Sequence, residues 1–248
     1  MDLYYSNMKE TDGFGAQYIK IIYSYIYCKL RNLNFLYRPF SSIEHNYKDD
    51  SNFVEKLESF INIKNYIPNI NNRDNINNIT NEMYFLTIIP YLESNIDNIF
   101  NSEHLQFIKK CFWEHKVRDV FNNIKINVAI HIRRENTCDK GLAGDRVTTP
   151  NSYYLNIMNI IRAKHDNKNL LFHIYSQGDI KNFKIFQETD VEFHLDEDIC
   201  KTFLELVAAD VLVISPSAFS FCAALLSDGE VYYKKYGEFC RKEWIDCG

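Results

Sequence analysis

No window of the chain approaches the roughly 18 uncharged apolar residues of a membrane-spanning helix. The N-terminal M-D-L-Y-Y-S-N has neither the basic n-region nor the long apolar core of a secretory leader. Basic charge is not in surplus either: 28 Lys and Arg stand against 33 Asp and Glu, a formal charge of −5. General attraction to nucleic acid or to an anionic membrane is therefore not expected, and any grip on an anionic ligand must be local. The seven cysteines, Cys28, Cys111, Cys138, Cys200, Cys222, Cys240 and Cys247, include no C-x-x-C pair and no Cys/His zinc spacing. They read as reduced thiols of a soluble cytoplasmic protein with no nucleic-acid partner and no membrane span.

What is present is enough apolar sequence for a core. With 46% hydrophobic residues in 248, the chain fits one large domain or two small ones. The first half opens with a short strand at 3–5, then T-D-G-F-G-A-Q, then a pattern over 18–30 in which Ile19, Ile22, Tyr23, Ile26 and Leu30 keep helical spacing. A turn carrying Gly13 and Gly15 that opens onto a helix points backbone N–H groups and the positive end of the helix dipole at whatever lies above it; a plain tight turn has the same sequence. A second strand at 34–37 ends in R-P-F-S-S-I-E-H-N, where Pro39 breaks regular structure and leaves Glu44 and His45 on a loop past a strand end. A His beside a carboxylate there suits a general base, and also a solvated surface pair. The Asn/Ile-rich segment 62–81 carries no chemistry and reads as an Ile-striped helix or a loop. Residues 84–91 read as a buried strand or helix and 105–120 as an amphipathic helix. The seam between the halves falls at Asn122, Asn123 and Lys125, giving domains 1–122 and 123–248.

The second half alternates strand and helix: strands at 128–132, 170–175, 191–195, 211–214 and 231–233, with helices starting near Pro150 and Ser152, near 180–187, over 199–208 and over 220–226. This alternation predicts an α/β fold with mostly parallel sheets, whose strand ends at Arg133, Ser176, Asp196 and Ser215 share one edge. Strand N-V-A-I-H-I-R-R delivers His131, Arg133 and Arg134 to that edge. Side chains alternate along a strand, so if the strand continues that far Arg133 shares a face with His131 and Arg134 turns back to brace a loop. A guanidinium fork at such an edge suits a diphosphate, although a structural Arg pair is an alternative. Ser215, Ser217 and Ser220 enter a small-residue helix as an anion or ribose cradle, with Ser217 also suited to capping that helix. Asp196-Glu197-Asp198 resembles the D-x-D that holds Mn²⁺ or Mg²⁺ on a diphosphate, or else is a solvated acidic loop.

H-I-R-R at 131–134, I-Y-S-Q-G-D at 174–179 and A-D-V-L-V-I-S-P-S-A-F-S at 209–220 resemble the three C-terminal motifs of the fucosyltransferase superfamily, and G-F-G-A-Q at 13–17 is similar to its N-terminal G-G-L-G-N-Q turn. The resemblance covers residues 128–233 and, loosely, the first thirty. It implies a GT-B architecture of two Rossmann-like domains facing a cleft, with the nucleotide held by the C-terminal half. It also implies an inverting transfer that requires no metal cofactor, from a nucleotide-sugar donor to a glycan acceptor. By this resemblance Arg133 contacts the donor phosphates and His131 lies near the nucleoside. Ser176 and Asp179 fall beside the base or ribose, and Ser217, Phe219 and Ser220 near the diphosphate. Gly13, Gly15 and Ser215 complete the donor-binding set. The chain departs from the family at Ala16, Glu135, Asn136, Phe221 and Cys222, which leaves the donor open between GDP-fucose and a UDP-linked pentose or other UDP-sugar. The catalytic set is then Arg133 with a base drawn from His45, Glu44 or Asp12. A non-catalytic nucleotide- or glycan-binding module, a D-x-D metal-dependent transferase and a thiol enzyme using Cys138 or Cys222 are the alternatives.

Overall fold

In the computed structural model the described residues are 4–46, 48–70, 76–134, 149–165, 169–235 and 240–248. They divide into two compact units, Met1–Val117 and Arg118–Gly248.

The first unit is built on a three-stranded parallel sheet of order β2-β1-β3, from β1 (Tyr4–Ser6), β2 (Asn34–Leu36) and β3 (Ile76–Asn78). Between β1 and β2 runs α1 (Phe14–Leu30), which buries residues on nearly every side, including Tyr18, Ile22, Tyr23 and Ile26. The helix begins four residues earlier than its apolar periodicity predicts, with Gly13 as N-cap, so Gly15 lies inside the first turn and is not a turn residue. β3 lies inside the Asn/Ile-rich segment, where neither a strand nor a role was expected; Tyr4 pairs with Ile76 and Ser6 with Asn78. α2 (Phe53–Ile61) packs on this unit through Glu58, whose buried carboxylate accepts from Tyr37 Oη at 2.7 Å and from the Phe40 N–H at 2.6 Å. After β3 come α3 (Asn81–Met83), a π-helical turn Tyr84–Ile88, α4 (Ile89–Glu93), α5 (Ile96–Phe100) and α6 (Glu103–Trp113). Residues 84–91 are thus helical, and the amphipathic helix ends seven residues before 120, at Trp113.

The second unit holds a six-stranded, wholly parallel sheet of order β6-β5-β4-β7-β8-β9. Its strands are β4 (Ile126–His131), β5 (Leu170–Ser176), β6 (Val191–Leu195), β7 (Val211–Val213), β8 (Glu230–Tyr233) and β9 (Ile245–Asp246), with helices α7 (Asn151–Lys164), α8 (Ile199–Ala208) and α9 (Ala218–Leu226). One sheet face, carrying Val128, Ile130, Phe172, Ile174, Val211 and Val213, is covered by Tyr154, Ile157, Met158 and Ile161 of α7. These four are the positions that sequence periodicity predicts for the buried face of that helix, and they are its buried residues. The other face, bearing His131, His173 and Tyr175, lies beneath α8 and α9. β9 was not expected from sequence. Both units are α/β with parallel sheets, as the strand-helix alternation predicts.

Candidate functional site

In the six-stranded sheet the chain starts at β4, runs outward through β5 and β6, then returns to β7 on the other side of β4. The strand order therefore reverses between β4 and β7. α7 leaves β4 for one face and α9 leaves β7 for the other, the arrangement in which open α/β sheets bind ligands beyond the carboxyl ends of the strands. H-I-R-R ends β4 and S-P-S-A-F-S follows β7, so two of the motifs flank the switch point.

A direct bond joins them. His131 Nδ1 lies 2.9 Å from Ser215 Oγ, across 84 positions of sequence. Burial pulls the His131 pKa from 6.5 down to about 3, with the nearby Arg133 charge adding to the shift, so the imidazole is neutral at physiological pH. Its ring packs on Phe219 at 5.5 Å between centroids, and Phe219 in turn meets Phe203 of α8 edge-on at 5.3 Å. Ser217 caps α9 by accepting from the Phe219 N–H at 3.3 Å. Ser220 is fully buried, and its hydroxyl bonds back to the carbonyls of Ser215 (3.3 Å) and Ser217 (3.5 Å). Ser217, Ala218 and Phe219 form the partly exposed rim of this loop.

β4 ends at His131, so Arg133 stands two residues past the strand, half-buried, with Nη1 donating to the Arg134 carbonyl. Strand alternation therefore does not reach Arg133 and Arg134; Arg134 nevertheless braces the loop, donating to the carbonyl of Thr149 at 3.3 Å and to the Asn151 side chain at the start of α7, and lies over the Phe183 ring. Residues 135–148, which carry Glu135, Asn136 and Cys138, lie outside the described residues. Ser176 ends β5 and ties it to the chain beyond β4, Oγ donating to the Ile132 carbonyl at 2.7 Å. Gly178 follows in a left-handed conformation, φ 97°, that a side chain would strain. Asp179 caps the 3-10 stretch Ile180–Phe186 by accepting from the Lys181 N–H at 2.8 Å.

The three acidic residues after β6 are each engaged locally. Asp196 accepts from the Gly178 N–H at 3.1 Å, Asp198 caps α8 by accepting from the N–H groups of Cys200 and Lys201, and Glu197 pairs with Lys201 at 2.6 Å. The six described cysteines are free thiols. Cys222 is fully buried and desolvation drives its pKa up, the setting of a structural thiol and the opposite of the one that lowers a thiol's pKa.

In the first unit the Gly13 turn and the Glu44-His45 loop come together. Gly13 bridges to Glu44 in parallel fashion, the Glu44 N–H donates to the Asp12 carbonyl at 3.3 Å, and Asp12 Oδ1 accepts from the Gly13 N–H at 2.7 Å. Gly13 has an ordinary extended backbone (φ −63°); what requires glycine is closeness, since a Cβ there would lie 2.9 Å from His45 Cδ2. His45 itself sits in the left-handed region at φ 68°, a strained geometry for a residue that is not glycine. Gln17, given no role by the sequence reading, clamps the arrangement: its Nε2 donates to the carbonyls of Asp12 (2.5 Å) and Ser42 (2.9 Å). The signal for it was the final Gln of G-F-G-A-Q. Glu44 and Asp12 are exposed and His45 is half-buried.

No family model and no curated protein matches the chain. Among solved structures it is similar to a NodZ alpha-1,6-fucosyltransferase soaked with GDP-fucose, with 11% identity, 91% of this chain and 93% of that one covered and a TM-score of 0.42. Fucosyltransferase NodZ from Bradyrhizobium gives 11% identity, 92% and 94% coverage and a TM-score of 0.43. POFUT1 in complex with GDP gives 12%, 92%, 95% and 0.45. Among the described residues no helix is long and apolar enough to cross a membrane.

Proposed function

We propose that the chain is a glycosyltransferase that moves one sugar from a nucleotide diphosphate to a glycan hydroxyl. The observation that carries this reading is the switch point of the six-stranded sheet, where the His131–Ser215 bond holds the H-I-R-R strand end against the S-P-S-A-F-S loop. Parallel α/β sheets bind nucleotides at such a point, and these two motifs are the ones that resemble nucleotide-sugar transferases. In this reading Arg133 stabilises the departing diphosphate, while Ser217 and Phe219 line its loop. His131, Ser215, Ser220 and Ser176 hold the walls in place, and Asp179 fixes the turn beside the base or ribose. The acceptor hydroxyl loses its proton to His45, Glu44 or Asp12, in that order of preference, because His45 is the residue held in a strained backbone beside Gly13.

Transfer by this route is inverting and does not depend on Mn²⁺ or Mg²⁺. Asp196 and Asp198 already accept N–H groups of Gly178, Cys200 and Lys201, and a guanidinium supplies the positive charge a diphosphate needs. The test is a transfer and donor-hydrolysis assay with GDP- and UDP-sugars on wild type and on Arg133→Ala. Turnover should be lost in the variant while its circular dichroism stays that of the wild type, and added Mn²⁺ or Mg²⁺ should not raise the wild-type rate. Near-normal turnover in the variant would contradict the reading; dependence on Mn²⁺ or Mg²⁺ would move the diphosphate grip to Asp196 and Asp198.

A further inference from the structure

On the α8 face of the same sheet two histidines meet ring to ring. His173 in the middle of β5 and His194 on β6 place Nδ1 and Nε2 respectively 3.1 Å apart. Glu192 is the strand partner directly across from His173 and lies two residues before His194, on the same face. Its Oε2 is 3.6 Å from His173 Nδ1. One ligand atom from each of the three residues lies within 4.8 Å of the others.

The hydrogen bonds behind the rings decide what sits between them. Asn127 Nδ2 donates to the carbonyl of Lys125 at 3.0 Å, which fixes its amide with Oδ1 toward His173 Nε2 at 3.1 Å. His173 must therefore carry its proton on Nε2 and offer a lone pair at Nδ1. On the other ring, His194 Nδ1 faces Glu197 Oε1 at 3.0 Å, so that nitrogen carries the proton and Nε2 is left as an acceptor. With both outer nitrogens engaged, His173 Nδ1 and His194 Nε2 face each other beside the Glu192 carboxylate. Either a shared proton or a metal ion fills such a gap, and the outer acceptors are those that orient metal-bound imidazoles. Bonds of about 2.0–2.1 Å in a tetrahedral shell require donors ~3.3 Å apart; two of the three spacings, 3.1 and 3.6 Å, bracket that value, and the third lies within 4.8 Å. The rings are packed against aromatic neighbours, His173 tilted on Phe121 at 4.7 Å and His194 stacked on Tyr175 at 4.6 Å. A second grouping of His194 with Glu197 and Glu205 is less suited, because Lys201 already supplies a cation to both carboxylates, at 2.6 and 3.8 Å.

We propose that His173, His194 and Glu192 bind a divalent first-row transition ion, zinc fitting best, with a fourth position open on the exposed Glu192 side. Two imidazoles and one carboxylate form a borderline-soft set that disfavours Mg²⁺ and Ca²⁺. The proposal does not rest on the glycosyltransferase reading. The test is zinc binding by the dialysed, untagged full chain, with calorimetric titration of ZnCl₂ and elemental analysis after gel filtration. One zinc per chain is expected. Glu192→Gln, at an exposed position, should weaken binding at least tenfold without affecting folding. Glu197→Gln should weaken it about 10–100-fold by releasing His194. If His194→Ala folds, it should lose the site and the zinc-dependent rise in melting temperature. Failure of the wild type to retain zinc would overturn the proposal, and so would retention undiminished in Glu192→Gln and Glu197→Gln, which would assign the ion to other ligands.

Discussion

At His131 a single residue links fold and site, and burial fixes its chemistry. Its pKa falls from 6.5 to about 3 because the charged imidazole cannot be solvated there, and Arg133 adds repulsion. The unfolded chain takes up this proton below about pH 6.5 and the native chain does not until about pH 3. Stability from His131 is therefore complete above 6.5 and is lost as the pH falls through that window, by up to ~1.4 kcal/mol per pH unit. His131→Gln keeps a hydrogen-bonding group for Ser215 and removes the titration. Denaturant unfolding at pH 7, 6, 5 and 4 should show the wild type losing stability faster than the variant; parallel curves would contradict the burial argument. The sequence placed His131 at a strand end beside a guanidinium, but not its bond to Ser215, because that contact depends on β4 and β7 being neighbours. Likewise the alternation of F-H-I-Y and E-F-H-L puts His173, Glu192 and His194 on inward or outward faces, yet only the parallel pairing of β5 with β6 brings them together.

Among the elements, α8 offers the clearest separation of structural from chemical roles. Asp198 caps it with bonds of 3.0 and 3.1 Å to the N–H groups of Cys200 and Lys201. Asp198→Ala should cost about 1 kcal/mol of stability, as lost N-caps do, and leave the response of transfer to Mn²⁺ or Mg²⁺ unchanged. A variant that is fully stable but has lost Mn²⁺-dependent activity would instead make Asp198 a metal ligand. Where an element has one buried face, its sequence was legible. The four buried positions of α7 follow its apolar spacing, and the strands from β4 to β8 follow from β-branched runs between turns. β3 was not legible, since Asn77 and Asn78 are exposed and Ile76 is only half-buried; pairing with β1 makes it a strand, not a hydrophobic pattern. The start of α1 was missed because Phe14 is buried against Phe40 and against Phe60 of α2, tertiary contacts that periodicity cannot report, and β9 is two residues long.

For the molecule as a whole, a net charge of −5 means that binding of a nucleotide diphosphate has to rest on a local cation. Arg133 is the residue proposed for it, at the edge of a wholly parallel sheet whose α/β character the alternation of strands and helices predicted. The donor base was not legible, because the matched motifs diverge from the superfamily at Glu135, Asn136, Phe221 and Cys222. The first two of these lie outside the described residues. Nucleotide binding measures the central claim without knowledge of the acceptor. Thermal unfolding and calorimetry with GDP and UDP should show one of them stabilising the wild type by about 2.7 kcal/mol at a hundred times its Kd. In Arg133→Ala the same nucleotide should bind more weakly by about 2–5 kcal/mol, with the fold intact. Equal affinity in the two proteins, or no binding of either nucleotide to the wild type, would contradict the account.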